Sequence, residues 1–377
     1  MQALLPPAFS PIAVSTGGRQ LLDLIFKTGG ISQAALTRRL GLAQPTVARL
    51  LQGFAAVGLV KMEPRKVDRP GHPSATARID PAFAHAFGAA ILNDVVSLTL
   101  VDCSGAIVGQ RRAALPVATR SAVLERLVGF RDALIADAPI DPQRILGLGV
   151  GISAFFTGDG AKMVGPPALE DWTMVEIAPI LEQALGLPVI VENDGAAGAI
   201  GENLFGVGRS LSDFAYLHLT NGFGGGIIAD GRLFRGAHGN AGEYGGIWTV
   251  GGLGYPNLDR LYALVHDVGM RFATVEDMLS RIDPDTPGVE AWLAEAVPAF
   301  AALASILGYA IDPQAVVIGG RLPAAIADRL IARITIPRAP NRHDAAPPVP
   351  KILRSQVDGD AVARGAAIMP FQRAFLA

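Results

Sequence analysis

Cysteine is nearly missing from this chain. Cys103 stands alone among 377 residues, which excludes an intrachain disulfide and any metal site built from several thiolates. As a small apolar side chain it belongs in a core. Long uncharged apolar runs are missing too: no stretch of about 18 residues is free of charges or loop signals, so a membrane span is not expected. No basic start precedes an apolar stretch at the N-terminus, so a signal peptide is not expected either. These features point to a cytoplasmic protein. Repeats of short period are likewise lacking.

What is present is enough apolar material for sizeable cores. Half of the residues are hydrophobic, and the length suits two or three folding units. The net charge of -2 hides an asymmetry: residues 1–82 carry +6 and the remainder -8. A basic module on an acidic body suggests contact with a polyanion, although a solvated basic face would give the same balance.

The order of elements decides more than the charge does. Residues 1–17 contain three prolines and no periodicity, and read as a flexible tail. From residue 18 onward Leu21, Leu22, Leu24 and Ile25 recur at helical spacing. Ser32 is placed to cap a short helix with Ala35, Leu36 and Leu40 inward, broken by Gly41. A second helix from about Gln44 puts Val47, Leu50, Leu51 and Phe54 on one face, with Pro45 in its first turn where a missing N–H costs nothing. Two short strands around a basic Pro/Gly turn follow. Two helices joined by a tight turn, then a basic hairpin, describe a winged helix-turn-helix over residues 18–82. The second helix would present Gln44, Thr46 and Arg49 to the major groove of double-stranded operator DNA. Arg49 could read guanine or hold a phosphate. Arg65, Lys66, Arg69 and His72 would follow the backbone or minor groove. A solvated helix start is the plain alternative for Gln44 and Thr46.

From residue 83 to 377 strands and helices alternate, which implies an α/β body of two lobes. PVIVEND reads as a strand ending on polar groups; FAYLHL and GGGIIADGRLF form a strand pair turned at Ala229-Asp230-Gly231. Asn193 or Asp194 before AAGAIGE is also a good helix N-cap.

Three segments carry a family resemblance: VENDGAAGAIGE (191–202), TNGFGGGIIADGRLFRGAHGNAGEYGG (220–246) and AVVIGGRLP (315–323). With GISAFF and LGLPVIVEND before them, they resemble the ROK family of repressors, open-reading-frame proteins and sugar kinases. The resemblance implies an actin-like (sugar kinase/ribonuclease H-like) two-lobed fold with a sugar in the cleft and, in the kinases, a nucleotide beside it. Asp194 matches the base that takes a proton from the sugar hydroxyl, and Asn193 its neighbour on the next hydroxyl. Glu243 matches a sugar-contacting glutamate, with a surface turn as its plain alternative. Asp259 replaces the family's second sugar glutamate with a side chain one methylene shorter, and could equally start a helix.

The departures are as informative. Where the family has a zinc-binding histidine this chain has Gly246, and the cysteine cluster beyond it is replaced by WTVGGLGYPNLDRLYAL, so no zinc and no other cofactor is expected. The first phosphate loop, Asp-x-Gly-Gly-Thr, aligns with Ala90-Ile91-Leu92-Asn93-Asp94, which has neither the glycines nor the Thr and places a carboxylate where phosphate should sit. In the second loop Asn221 replaces the phosphate-binding Thr, although the glycines survive. Phosphoryl transfer depends on those loops for positioning and charge stabilisation. The expectation is therefore not an enzyme but a sugar-responsive regulator, dimeric or larger, with a sugar kinase fused to a DNA-binding domain as the alternative.

Overall fold

The computed structural model describes residues 14–64, 75–115, 117–158, 160–252, 254–338, 343–357 and 359–376. Ser15 caps the first helix, α1 (Thr16–Thr28), by accepting from Gly18 N–H, two residues ahead of the apolar spacing. Strand β1 (Ile31–Ser32) leads into α2 (Gln33–Leu40), which Ser32 caps and Gly41 ends at φ 64°. Helix α3 (Gln44–Ala56) holds Pro45 in its first turn and buries Val47, Leu51 and Phe54; Leu50 is only partly buried. Strands β2 (Val60–Glu63) and β3 (Thr76–Ile79) complete a sheet of order β1-β3-β2. This is a winged helix-turn-helix. Residues 1–13 of the expected tail, and 65–74 at the wing tip, lie outside the described residues.

A 3-10 turn, Pro81–Phe83, leads into the body. Its first sheet begins with an antiparallel meander, β4 (His85–Ile91), β5 (Val95–Asp102) and β6 (Ile107–Ala114). After α4 (Arg120–Asp137), β7 (Ile145–Ile152) runs parallel to β4. The short pair β8 (Phe155–Phe156) and β9 (Met163–Val164), then α5 (Ile177–Leu185), precede β10 (Val189–Asn193), parallel to β7. Met174, at φ 59°, lies outside the right-handed helical region three residues before α5 begins. Helix α6 (Asp194–Phe205) crosses to the second sheet.

That sheet repeats the plan. Strands β11 (Phe214–Leu219), β12 (Phe223–Ala229) and β13 (Arg232–Phe234) form the meander. Helices α7 (Gly245–Gly251), α8 (Leu258–Asp267), α9 (Val275–Leu279) and α10 (Val289–Ile311) come next. Then β14 (Ala315–Gly320), α11 (Ala324–Arg333) and β15 (Lys351–Arg354) add two parallel strands, and α12 (Ala361–Ala366) and α13 (Met369–Ala374) close the chain. The orders β10-β7-β4-β5-β6 and β15-β14-β11-β12-β13 are the same topology twice. The two lobes are thus an actin-like pair. The expected hairpin turn is present: Asp230 and Gly231 both have left-handed φ, 52° and 71°, as a type I′ turn requires.

In the first lobe α4 and α5 cover one face, burying Trp172, Phe87 and Leu127. In the second, Trp248, Trp292 and Phe300 fill the core beneath α8 and α10. Helix α10 is long and apolar enough to cross a membrane. Its Trp292, Leu293 and Leu303 are fully buried in the lobe, and Glu290 pairs with Arg333. Between the lobes α6 and α12 touch backbone to backbone: a Cβ on Gly365 would fall 1.9 Å from Ala197 O. The other face of the first lobe shares one apolar cluster with the winged domain, in which Leu21, Leu22 and Phe26 of α1 join Cys103, Leu204, Phe371 and Phe375. The DNA-binding module is therefore packed on the body.

Candidate functional site

Parallel strands β7 and β10 end side by side, with Asn193 opposite Ile152. That edge is where α/β sheets open to ligands. Asn193 caps α6: its Oδ1 accepts from Ala196 N–H at 2.9 Å. Its Nδ2 donates to Ala154 O and to Glu243 Oε1, both at 3.0 Å. The helix-cap and ligand-side readings thus fall on the same side chain, and both amide hydrogens are already engaged in holding Glu243 and the loop after β7. Asp194, buried, accepts from Gly195 N–H at 2.8 Å and from the hydroxyl of Ser153. His218 Nε2 lies 3.7 Å from its Oδ2. Burial pushes the His218 pKa down, so the ring is neutral beside the carboxylate.

Glu243 is exposed at the mouth of the cleft. Yet the crowding walls around its carboxyl, and then the charge of Asp194, push its pKa up to about 7. Asn193 and Glu243 are thus hydrogen-bonded to each other, and the Asp194 carboxylate lies close enough for its charge to act on Glu243. Asp259 is placed differently. It sits in the first turn of α8, exposed, and accepts from Asn221 Nδ2 at 2.9 Å. Its hydrogen bond is to the altered second phosphate loop.

Where the resemblance aligns the two phosphate loops, the cleft holds an arginine. Arg321, directly after β14, donates to Asp94 Oδ1 at 2.6 Å, to Asn221 Oδ1 at 2.8 Å and to Glu276 Oε2 at 2.7 Å. Arg112 of β6 reaches Glu276 at 2.9 Å, and Ser97 donates to Asp360 at 2.5 Å. Asp94 is thus not a free charge facing incoming phosphate. It is neutralised by a buried guanidinium that joins the first lobe, through Asp94, to the second, through Asn221 and Glu276. A cavity of about 360 Å³ remains beside this clasp, lined by Leu92, Arg112, His218, Arg321 and Asp360 among others.

A zinc ion does not fit the residues where the resemblance would put one. Gly246 has no donor, and residues 247–263 contain neither histidine nor cysteine. An aromatic cluster holds that segment instead. Trp248 stacks on Phe223 at 3.8 Å between centroids, and Phe300 and Tyr255 meet it edge-on at 5.2 Å and 5.8 Å.

On the winged domain Gln44 and Arg49 are exposed and Thr46 is half-buried, all in the first half of α3. Arg65, Lys66, Arg69 and His72 lie outside the described residues. Of the nearby wing residues, Lys61 pairs with Asp80 at 2.9 Å and Arg78 with Glu63 at 2.9 Å.

Residues 93–252 match the model of the ROK family, and residues 18–61 that of winged helix-turn-helix DNA-binding domains. Residues 93–252 therefore form a ROK-family domain. A relative from Sinorhizobium fredii, an uncharacterized protein, is 29% identical over 96% of this chain and 92% of its own length. The xylose repressor of Caldicellulosiruptor bescii is 28% identical over 60% of this chain. That match spans 56% of the repressor, so this chain covers little more than half of it. Among solved structures, a ROK family transcriptional regulator described as a homolog of the E. coli MLC protein superposes with a TM-score of 0.63, at 19% identity over 95% of each chain. This last likeness is one of fold, and it includes the winged domain.

Several residues of the ROK cleft escaped the sequence reading. Ser153 sat inside the quoted GISAFF. His218 was legible as a polar interruption of a buried strand, which needs a partner or a purpose. Arg321 followed the Gly-Gly turn of AVVIGG, but its three partners come from positions 94, 221 and 276, which no local pattern connects.

Proposed function

We propose that this chain is a sugar-responsive transcriptional repressor. It binds operator DNA through Gln44, Thr46, Arg49 and the wing, and holds a sugar or sugar derivative at Asp194 and Glu243, with Asn193 positioning Glu243. Asp259 acts through Asn221 at the far side of the pocket. The observation that carries the reading is Arg321: it engages both Asp94 and Asn221, the two positions that the resemblance aligns with phosphate-loop residues, while Asp194 at the end of β10 and Glu243 keep acceptors for sugar hydroxyls. The names of the relatives, a xylose repressor among them, support the same class. A dimer is proposed because two winged helices on a near-palindromic operator need two copies, and the cytoplasm is the compartment where the DNA is.

The test is an electrophoretic mobility shift on DNA upstream of this gene and of neighbouring sugar-use genes. D-xylose, D-glucose and N-acetylglucosamine are titrated in turn. A shift altered by one sugar is expected. No shift on any of these fragments at modest salt overturns the reading, and steady ADP release with ATP and a sugar would establish the kinase alternative.

A further inference from the structure

Helix α1 of the DNA-binding domain is tied at its two ends to different lobes. Near its start Arg19 donates to Gln372 O at 2.9 Å, Leu376 O at 2.7 Å and Ala374 O at 3.4 Å. Those carbonyls belong to α13 and the residues after it, which pack on β7 of the first lobe. Near its end Lys27 Nζ donates to Gly231 O at 3.1 Å, in the β12–β13 turn of the second lobe. Arg19 and Lys27 are separated by eight residues, about 12 Å along the helix. The same Gly231 carbonyl accepts from Asn203 Nδ2 at 2.8 Å. Asn203 stands near the end of α6, whose first residues are the ligand pair's own: Asn193 is its cap and Asp194 its first residue. The end of α6 grips α1 a second time, with Phe205 and Phe26 at 6.0 Å between centroids.

We infer that α1 is a lever laid across the two lobes, and that the Lys27–Gly231 bond is the contact through which ligand in the cleft reaches the DNA-binding face. Any rotation of the lobes about the α6–α12 crossing changes the distance between the two anchors of α1. The anchors are unequal. Toward the lobes Arg19 makes three charge-assisted bonds and Lys27 makes one, its ammonium also pairing with Asp23 of α1 at 3.5 Å, so the Lys27 end yields first. Helix α3 must follow, because Leu21, Leu22 and Ile25 of α1 share a core with Val47, Leu51 and Phe54 of α3. A sugar at Asp194 and Glu243 bridges the end of β10 and the segment after β13, so it binds one lobe arrangement better than another, which is the condition for shifting the DNA affinity. The inference rests on the sensor reading above and adds the route.

The experiment uses the full chain and the Lys27→Met variant, which keeps the aliphatic stem and removes the donor. Calorimetry with D-xylose, D-glucose and N-acetylglucosamine gives sugar affinity, and fluorescence anisotropy on the upstream DNA gives DNA affinity with and without saturating sugar. In the unaltered chain the sugar is expected to change the DNA Kd by tenfold or more. In Lys27→Met, sugar affinity should stay within twofold while that change shrinks below threefold. Hydrogen exchange of the unaltered chain supplies a reading that needs no variant: amides of residues 24–28 should change protection on adding sugar. A full sugar effect in Lys27→Met, or unchanged protection in 24–28, overturns the lever while leaving the sensor standing. No heat with any of the three sugars removes the sensor reading and the lever with it.

Discussion

Arg321 and Asp94 lie 227 positions apart and pair at 2.6 Å in the floor of the cleft, one from each lobe. The pair is nearly buried, with the Arg321 side chain 8% exposed. A buried charge left without its partner is costly, so Arg321→Met should destabilise the chain by about 3–5 kcal/mol. Replacing Asp94 and Arg321 together, by Leu and Met, should cost clearly less than the sum of the two single changes, because neither leaves its partner stranded. Urea denaturation followed by far-ultraviolet circular dichroism measures both. Additive losses would mean that the two residues are not coupled.

The same clasp bears on catalysis. The resemblance aligns Asp94 and Asn221 with phosphate-loop residues of the ROK kinases, and in this chain Arg321 holds both. Kinases turn over at about 1–100 per second. With ATP, magnesium and the same three sugars, this chain should release ADP at less than about a thousandth of that rate, with no further loss in Asp194→Asn. Turnover in the kinase range that disappears in Asp194→Asn would make Asp194 a working base and the clasp a feature that opens.

Glu243 makes ligand binding pH-dependent. Its pKa is pushed up to about 7, from 4.5, by the crowding that desolvates its carboxyl and by Asp194. Raised in the folded chain, it favours folding most below its ordinary value, and that contribution is lost as pH rises through about 7. Ligand binding runs the other way. A sugar hydroxyl that donates to the carboxylate needs Glu243 ionised, so sugar affinity should rise roughly tenfold between about pH 6 and pH 8. Calorimetry at the two pH values measures it, and Glu243→Gln should bind more weakly with a flat profile. A flat profile in the unaltered chain would place Glu243 outside the contact.

The fold was readable where periodicity and punctuation agreed. Ser32, Gly41 and Pro45 marked the helix pair, and Asp230-Gly231 marked a hairpin that needs left-handed backbone at both positions. Of residues 245–280 only the start of α8 was readable, at Asp259. Helices α7 and α9 have seven and five residues, too few to show a period, and α7 begins at a glycine pair, Gly245-Gly246, with no side-chain cap. The ligand side of the site was visible because it is local: Asn193 and Asp194 end one strand. The clasp was not, since pairing Arg321 with Asp94, Asn221 and Glu276 depends on how two sheets face each other. Asp94 looked like a repulsive charge in the sequence for that reason alone. The sequence shows a carboxylate, and only the fold supplies its guanidinium.

Arg49 offers the sharpest test of the DNA-binding face. It is exposed in the first half of α3, where a recognition helix meets base edges. If it reads guanine, Arg49→Ala should weaken binding by about 1–3 kcal/mol on the operator and relax the preference at a single base position. If it holds a phosphate, binding should weaken about equally on every sequence, and the slope of log K against log salt should fall by about one. Arg38, exposed in the last turn of α2, the helix that crosses the DNA backbone in this motif, supplies the comparison: Arg38→Ala should change the salt slope without altering sequence preference. Anisotropy titrations on the operator and on a scrambled duplex at three salt concentrations separate the cases. An Arg49→Ala variant indistinguishable from the unaltered chain on both duplexes would move the recognition surface off α3.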